Sequence, residues 1–218
     1  MGRADNTRRR KREILDAALA CFHVLSYEKT TLADISASAN ASIGSIYHLF
    51  AGKEQLFAAL YVDAIGDAQA YSLRALRRAK DAEAGVRALV RSYLRWVSKN
   101  RELAGYLLTM RRAEFMSDAE PEIERMNAAF RVEFKSWLAT SRADRELPAI
   151  GTDILLAILV GPSEEFARRW LRGKTTTSLR DASDTLGKAA WLALSGLREA
   201  QAAARSTARR EARLTSRG

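Results

Sequence analysis

Ser42, Gly44, Ser45, Tyr47 and His48 bring hydroxyls, an imidazole and a bare backbone together within one short stretch of this 218-residue chain. Hydroxyl and imidazole groups bond phosphate oxygens or base edges without needing a full charge. A glycine among them lets the backbone approach such a partner closely. The chemistry suggested is hydrogen bonding to a polyanion. The plainer reading of the same residues is the solvated face of a short helix.

Two short helices joined by a tight polar turn would have to position these side chains. The first is expected from Leu32 to about Ala39, capped by Thr31, whose hydroxyl suits a free N–H of the first turn. Ile35 and Ala39 lie four apart, with Leu32 three before Ile35, so that face packs inward. Asn40 breaks the helix, because Asn tolerates the left-handed conformation of a helix exit. Ser42 caps a second helix from Ile43 to about Phe50, whose Ile43, Ile46 and Phe50 repeat at helical spacing and are expected to face the core. This is the layout of a helix-turn-helix. Upstream, Ile14, Ala18, Phe22 and Leu25 mark a supporting helix. Arg8–Arg12 before an apolar run ending at Cys21 imitates a lipoprotein leader, but Asp16 interrupts the run. The single Cys21 falls on the apolar face of the supporting helix, which predicts a buried thiol and fits a reducing cytoplasm.

From Ile14 to about Tyr61 the chain resembles the tetracycline-repressor (TetR) family of bacterial transcription regulators. The resemblance rests on ILDAALACF, then TTLADIS, then Ser42, Gly44, Tyr47, His48 and Phe50, then Lys53-Glu54. Two positions depart from the family pattern: Asn40 stands where Gly is usual, and Gly52 where a capping Ser is common, leaving Gln55 without a hydroxyl to answer. The resemblance implies that Ser42, Ser45, Tyr47 and His48 contact DNA, with Gly44 permitting close approach. It implies further that Thr31 and Lys53 hold phosphates from helix N-termini. Also implied is a homodimer in which the last two long helices pair with their mates as a four-helix bundle. Its half-sites would lie roughly 34–36 Å apart or a multiple of that, in a palindromic operator. A small-molecule effector pocket is implied as well, with Tyr93, Trp96, Leu107, Met110, Phe115, Met126, Phe130, Phe134 and Trp137 as candidates. Aromatic and Met stripes at helical spacing equally describe plain core. Few charges punctuate them, so an apolar or aromatic effector is expected.

The remainder reads as helix throughout, so the expected class is all-α. A helix from Lys53 to about Arg78 would connect the DNA reader to the rest and act as the lever of any switch. Another begins near Asp81 and buries Val86, Leu89, Val90, Tyr93, Leu94 and Val97; a third starts near Arg101. Pro121 suits a first turn, ahead of the stripe Ile123, Met126, Phe130, Phe134 and Trp137. Thr152 is expected to cap a helix whose centre, Ile154–Val160, is apolar on all sides, as in a core helix or a subunit interface. Gly161-Pro162 should kink or interrupt it, and Gly173 should close it. Leu179, Leu186, Ala190, Ala193 and Leu197 mark a final helix rich in small residues. The expected division is a helix-turn-helix domain over 8–62, a helical ligand-binding and dimerisation domain over 63–204, and a basic, frayed tail over 205–218.

The formal net charge of +10 suits a polyanionic partner. The charge gathers at the ends: eight Lys or Arg against five Asp or Glu over 1–53, and six against two over 198–218. Arg8–Arg12 fits two readings, an arm along the DNA backbone or into the minor groove, and a solubilising tail. No phosphate-cradling glycine loop, nucleophile elbow or metal-binding Cys/His spacing is present, so neither catalysis, a cofactor nor a metal is expected. No segment reaches the roughly 18 uninterrupted apolar residues of a membrane span, so no membrane partner is expected either. The resulting expectation is a cytoplasmic, ligand-responsive, sequence-specific transcription regulator, a repressor released from its operator by a small effector. The rival is a basic architectural or nucleic-acid-binding protein whose affinity follows salt alone.

Overall fold

In a computed structural model that describes residues 2–110, 114–141 and 143–215, every regular element is helical. The helices are α1 (Arg3–Lys29), α2 (Leu32–Ser38), α3 (Ile43–Phe50), α4 (Lys53–Leu76), α5 (Ala82–Lys99), α6 (Arg101–Met110), α7 (Glu120–Thr140), α8 (Thr152–Leu171) and α9 (Leu179–Thr215). Short 3-10 segments, Glu114–Ala119 and Ala143–Arg145, precede and follow α7. Among the described residues no helix is long and apolar enough to cross a membrane.

The chain folds as two compact units that alternate along the sequence. Residues up to 68 group with 100–128, and residues 69–99 group with 129 onward. The sequence suggested one division near residue 62, whereas α6 and the start of α7 belong with the first unit. The physical cause is Tyr106 of α6. Its fully buried ring meets Phe22 of α1 edge-on at 5.0 Å and Phe57 of α4 at 6.0 Å, and its hydroxyl donates to the Phe57 carbonyl at 2.5 Å. Aromatic pairs in this range stabilise beyond their buried area. Burial raises the Tyr106 phenol far above its ordinary pKa.

Ile14 and Ala18 of α1, Ile35 of α2, Ile46 of α3 and Leu56 of α4 are fully buried and form the core around the helix-turn-helix. Cys21 is buried as expected, and that burial raises its thiol pKa. One residue of α1 breaks the helical path. Ser26 sits at φ 68°, ψ 168°, a region open essentially to glycine, while its carbonyl accepts from the Thr30 N–H at 3.1 Å and the Thr30 hydroxyl at 2.7 Å. Holding a non-glycine residue there costs about 1–3 kcal/mol, against about 0.5–1 kcal/mol of extra chain entropy for glycine. Ser26→Gly is therefore expected to raise the melting temperature by about 2–4 °C in a thermal scan. A lowered value would mean that the Ser26 hydroxyl bond to Glu28, at 2.8 Å, outweighs the strain.

In the second unit α5 lies against both α8 and α9. Its Val86, Leu89, Val90, Tyr93, Leu94, Trp96 and Val97 are all buried. Gly85 of α5 lets the Trp137 indole of α7 rest on the backbone: a Cβ there would stand 2.1 Å from Cη2. Arg91 pairs with Asp184 of α9 at 3.1 Å, and Gln201 of α9 accepts from the Ala149 N–H at 2.9 Å. Helix α8 ends on Gly173 at φ 66°, with the Gly173 N–H on the Trp170 carbonyl and the Lys174 N–H on that of Arg169, a Schellman closure.

Several expectations change here. Gly151, not Thr152, is the N-cap of α8, and Thr152 is its first helical residue. Pro162 does not interrupt α8, which continues to Leu171 with an exposed Gly161-Pro162 edge. The apolar centre of α8 is not buried all round: Leu155 and Leu159 are, but Ile154 is 53% exposed. Ala193 and Leu197 are exposed on α9, as is Leu192 at 68%, whereas Leu179, Ala190 and Leu194 are buried. Helix α9 also continues to Thr215, past the expected start of a tail at 205.

Candidate nucleic-acid interface

Local chemistry shapes the two short helices. The Thr31 hydroxyl accepts from the Asp34 N–H at 3.2 Å, while Asp34 Oδ2 accepts from the Thr31 N–H at 2.9 Å, a reciprocal cap that starts α2. The Thr31 hydroxyl also donates to Asp34 at 2.7 Å, and these bonds hold the Asp34 carboxyl below its usual pKa. At the turn Asn40 takes φ 45°, the left-handed exit expected of it. Ser36 braces the turn by donating to the Ala41 carbonyl at 2.5 Å. The Ser42 hydroxyl then accepts from the Ser45 N–H at 3.1 Å and opens α3.

Helix α3 divides cleanly between an inner and an outer side. Ile46 and Phe50 are buried, whereas Ser42, Gly44, Tyr47 (53% exposed) and His48 face outward and Ser45 is half-buried. Ile43 corrects the expectation that it faces the core: it is 44% exposed. As the first residue of α3 it has no preceding turn to cover it, and its direction is about 60° from that of Ile46. Ile43 and Tyr47 therefore share an outward stripe, four residues apart. Beside Gly44 nothing but the Ser42 hydroxyl, 4.0 Å away, lies near the position of a Cβ, so its bare backbone opens outward.

Thr31 and Lys53 stand at helix starts, yet both already have partners. The polar hydrogens of Thr31 point to Asp34, so a phosphate arriving there meets a carboxylate too. Lys53 lies 4.3 Å above the Tyr27 ring, with a 3.4 Å bond to the Glu28 carbonyl. An ammonium has three donors, which leaves room for an anion.

The basic stretch of α1 is helical and rests on the helix-turn-helix. Arg10 Nη1 donates to the Asn40 carbonyl at 3.4 Å, and Lys11 lies 5.9 Å over the Phe50 ring. A cavity of about 350 Å³ opens between this stretch and α3, lined by Asn6, Arg9, Arg10, Ser45 and His48 among others. Arg12 points elsewhere, to Asp16 at 3.2 Å and Asp63 at 2.7 Å.

The effector candidates separate between the units. Leu107, Met110 and Met126 are half-buried in the first, and the Phe115 side chain lies outside the described residues. Tyr93, Trp96, Phe134 and Trp137 are buried in the second and Phe130 half-buried. There Tyr93 stacks on Trp96 at 6.5 Å, and Phe134 meets Trp137 at 6.0 Å. Among the described residues of this unit, the buried polar atoms without a hydrogen-bond partner include Trp137 Nε1 and Ser163 Oγ, along with Arg87 Nε and Thr175 Oγ1.

Residues 14–60 match the family model of bacterial regulatory proteins, tetR family. No curated protein sequence matches the chain. Its fold is similar to that of a TetR family transcription regulator from Marinobacter aquaeolei VT8, at TM-score 0.69 and 19% identity, covering 89% of this chain and 98% of that one. It is also similar to the fatty acid degradation regulator FadR of Bacillus halodurans, at TM-score 0.69 and 17% identity over 84% of this chain and 94% of that. FadR of Bacillus subtilis in complex with stearoyl-CoA gives TM-score 0.69 at 15% identity over 82% and 96%. At these identities the likeness speaks for the fold, and the matched segment is the one that contains α2, the turn and α3. It is through this segment, rather than over the whole chain, that the protein is similar to the tetR family of bacterial regulatory proteins.

Proposed function

We propose that this regulator is a homodimeric, ligand-responsive repressor that reads a palindromic operator in the cytoplasm. The observation that carries the reading is the outer face of α3, where Tyr47 and His48 stand free of the core beside an open Gly44. With α3 in a major groove, Tyr47 and Ile43 reach base edges, Ile43 offering an apolar surface to a thymine methyl. Ser42, Ser45, His48 and Lys53 bind phosphate or sugar, and Gly44 allows the approach. Thr31 is assigned to holding α2 through Asp34.

Dimerisation is supported by the apolar strip that α8 and α9 leave exposed, including Ile154 and Leu192. Small exposed residues beside it, Ala157, Ala189, Ala193 and Gly196, permit close helix approach. An effector site in the second unit is supported by its aromatic content and by the unsatisfied Trp137 Nε1 and Ser163 Oγ. A buried donor left alone costs about 1–3 kcal/mol, which a ligand oxygen would recover. An apolar effector with one polar end fits, the class to which the stearoyl-CoA held by the Bacillus subtilis FadR belongs. Such a ligand releases DNA only if it binds the DNA-free state more tightly.

Tyr47→Ala tests the reading face. It is expected to weaken operator binding about tenfold or more in a fluorescence-anisotropy titration, with an unchanged melting temperature, because the side chain is outside the core. Parental affinity in that variant would move the reading face elsewhere.

A further inference from the structure

We propose that the cavity between the N-terminal part of α1 and α3 seats one phosphodiester of the DNA backbone, gripped by Arg9, Arg10 and His48. The proposal rests on the DNA-binding reading and assigns the basic N-terminal stretch, which the sequence left between an arm along the DNA backbone or into the minor groove and a solubilising tail. Asn6, Arg10, Ile14 and Ala18 succeed one another at intervals of four in α1. Ile14 and Ala18 are fully buried against the helix-turn-helix, so the same stripe brings Arg10 to its edge. There the Asn40 carbonyl holds it at 3.4 Å. The stretch is thus a rigid extension of the reader and approaches DNA in the same register as α3.

The chemistry of the cavity selects an anion. The cavity is lined by Asn6, Thr7, Arg9, Arg10, Ser45 and His48, with Leu49 as the apolar member. Glu13, one turn along, bridges Arg9 at 3.7 Å and Arg10 at 3.1 Å. That carboxylate aligns both guanidiniums and offsets one of their two charges. The net of about one positive charge suits a singly charged phosphodiester. Each guanidinium has five N–H donors, so pairing with Glu13 leaves donors for phosphate oxygens. Arg12 makes the contrast, since Asp16 and Asp63 both pair with it. The outer face of α3 consequently divides by role: Tyr47 and Ile43 face bases, while Ser45 and His48 face the backbone phosphate.

The test uses the full chain and a duplex that the parent selects from random DNA, with affinity measured across a salt series. Arg9→Gln and Arg10→Gln are each expected to weaken binding about five- to tenfold on every duplex, and to lower the slope of log K against log salt by about one. Arg12→Gln removes the same charge and is expected to stay within about twofold of the parent. Parental affinity and slope in Arg9→Gln and Arg10→Gln would overturn the seat, as would an equal loss in Arg12→Gln, which would reduce the effect to net charge. Inorganic phosphate alone forms the second arm, read by the His48 imidazole resonances in the parent and in Arg10→Gln. A phosphate-induced shift lost in Arg10→Gln, from a chain that selects no duplex, would support the seat for a free anion while rejecting the DNA reading. No duplex selected and no shift would overturn both.

Discussion

Phe134→Ala is expected to destabilise the chain by about 3–5 kcal/mol, lowering the melting temperature by about 6–20 °C. Phe134 is 1% exposed in α7, and its ring meets that of Trp137 at 6.0 Å. Trp137 in turn rests on the bare backbone of Gly85, where a Cβ would come within 2.1 Å of the indole. Truncating Phe134 removes its transfer energy and leaves a cavity that this wedge, braced on a helix backbone, is poorly able to close. Denaturant unfolding followed by far-UV circular dichroism measures the loss. A variant of parental stability with an altered effector response would contradict the core assignment and make Phe134 a pocket residue.

Leu192→Glu is expected to turn the proposed dimer into a monomer without unfolding it. The leucine is 68% exposed on α9, next to Ala189, Ala193 and Gly196, so the isolated fold loses little. In a twofold interface the substitution enters twice. Each copy brings a charged carboxylate into an apolar contact, whose desolvation costs several kcal/mol. Light scattering should show half the parental mass, circular dichroism an unchanged helix content. Binding to an inverted repeat should fall to the weak level of a single half-site. A dimer that survives the substitution, or a monomeric parent, would remove the α8 and α9 strip from the account.

Local signals explain why the helix-turn-helix was legible in the sequence. Thr31, Asn40 and Ser42 act on their immediate neighbours, and the structure starts α2 and α3 at Leu32 and Ile43 as those caps require. Ile43 was misjudged because spacing alone says nothing of a helix end, where half the surroundings are solvent. The docking of α6 on the first unit was not legible, since it depends on Tyr106 meeting Phe22 and Phe57, residues far apart in the chain. Ser26 carries no warning of its positive-φ backbone, since nothing in its residue type or spacing calls for one. The aromatic stripes read the same whether they line a pocket or fill a core. Arg10 shows the opposite case: its spacing of four from Ile14 was visible, and only the position of α3 gave that spacing a meaning.

The central claim is that this chain reads DNA sequence as a dimer through the outer face of α3. Selection of bound duplexes from a random pool, by the parent and by the Tyr47→Ala/His48→Ala variant, tests it most directly. The account predicts an inverted repeat with half-sites separated by about one helical turn or a multiple of it, enriched by the parent and lost in the variant. Enrichment of no site, with strongly salt-dependent binding to any duplex, would contradict it and leave a nonspecific nucleic-acid binder.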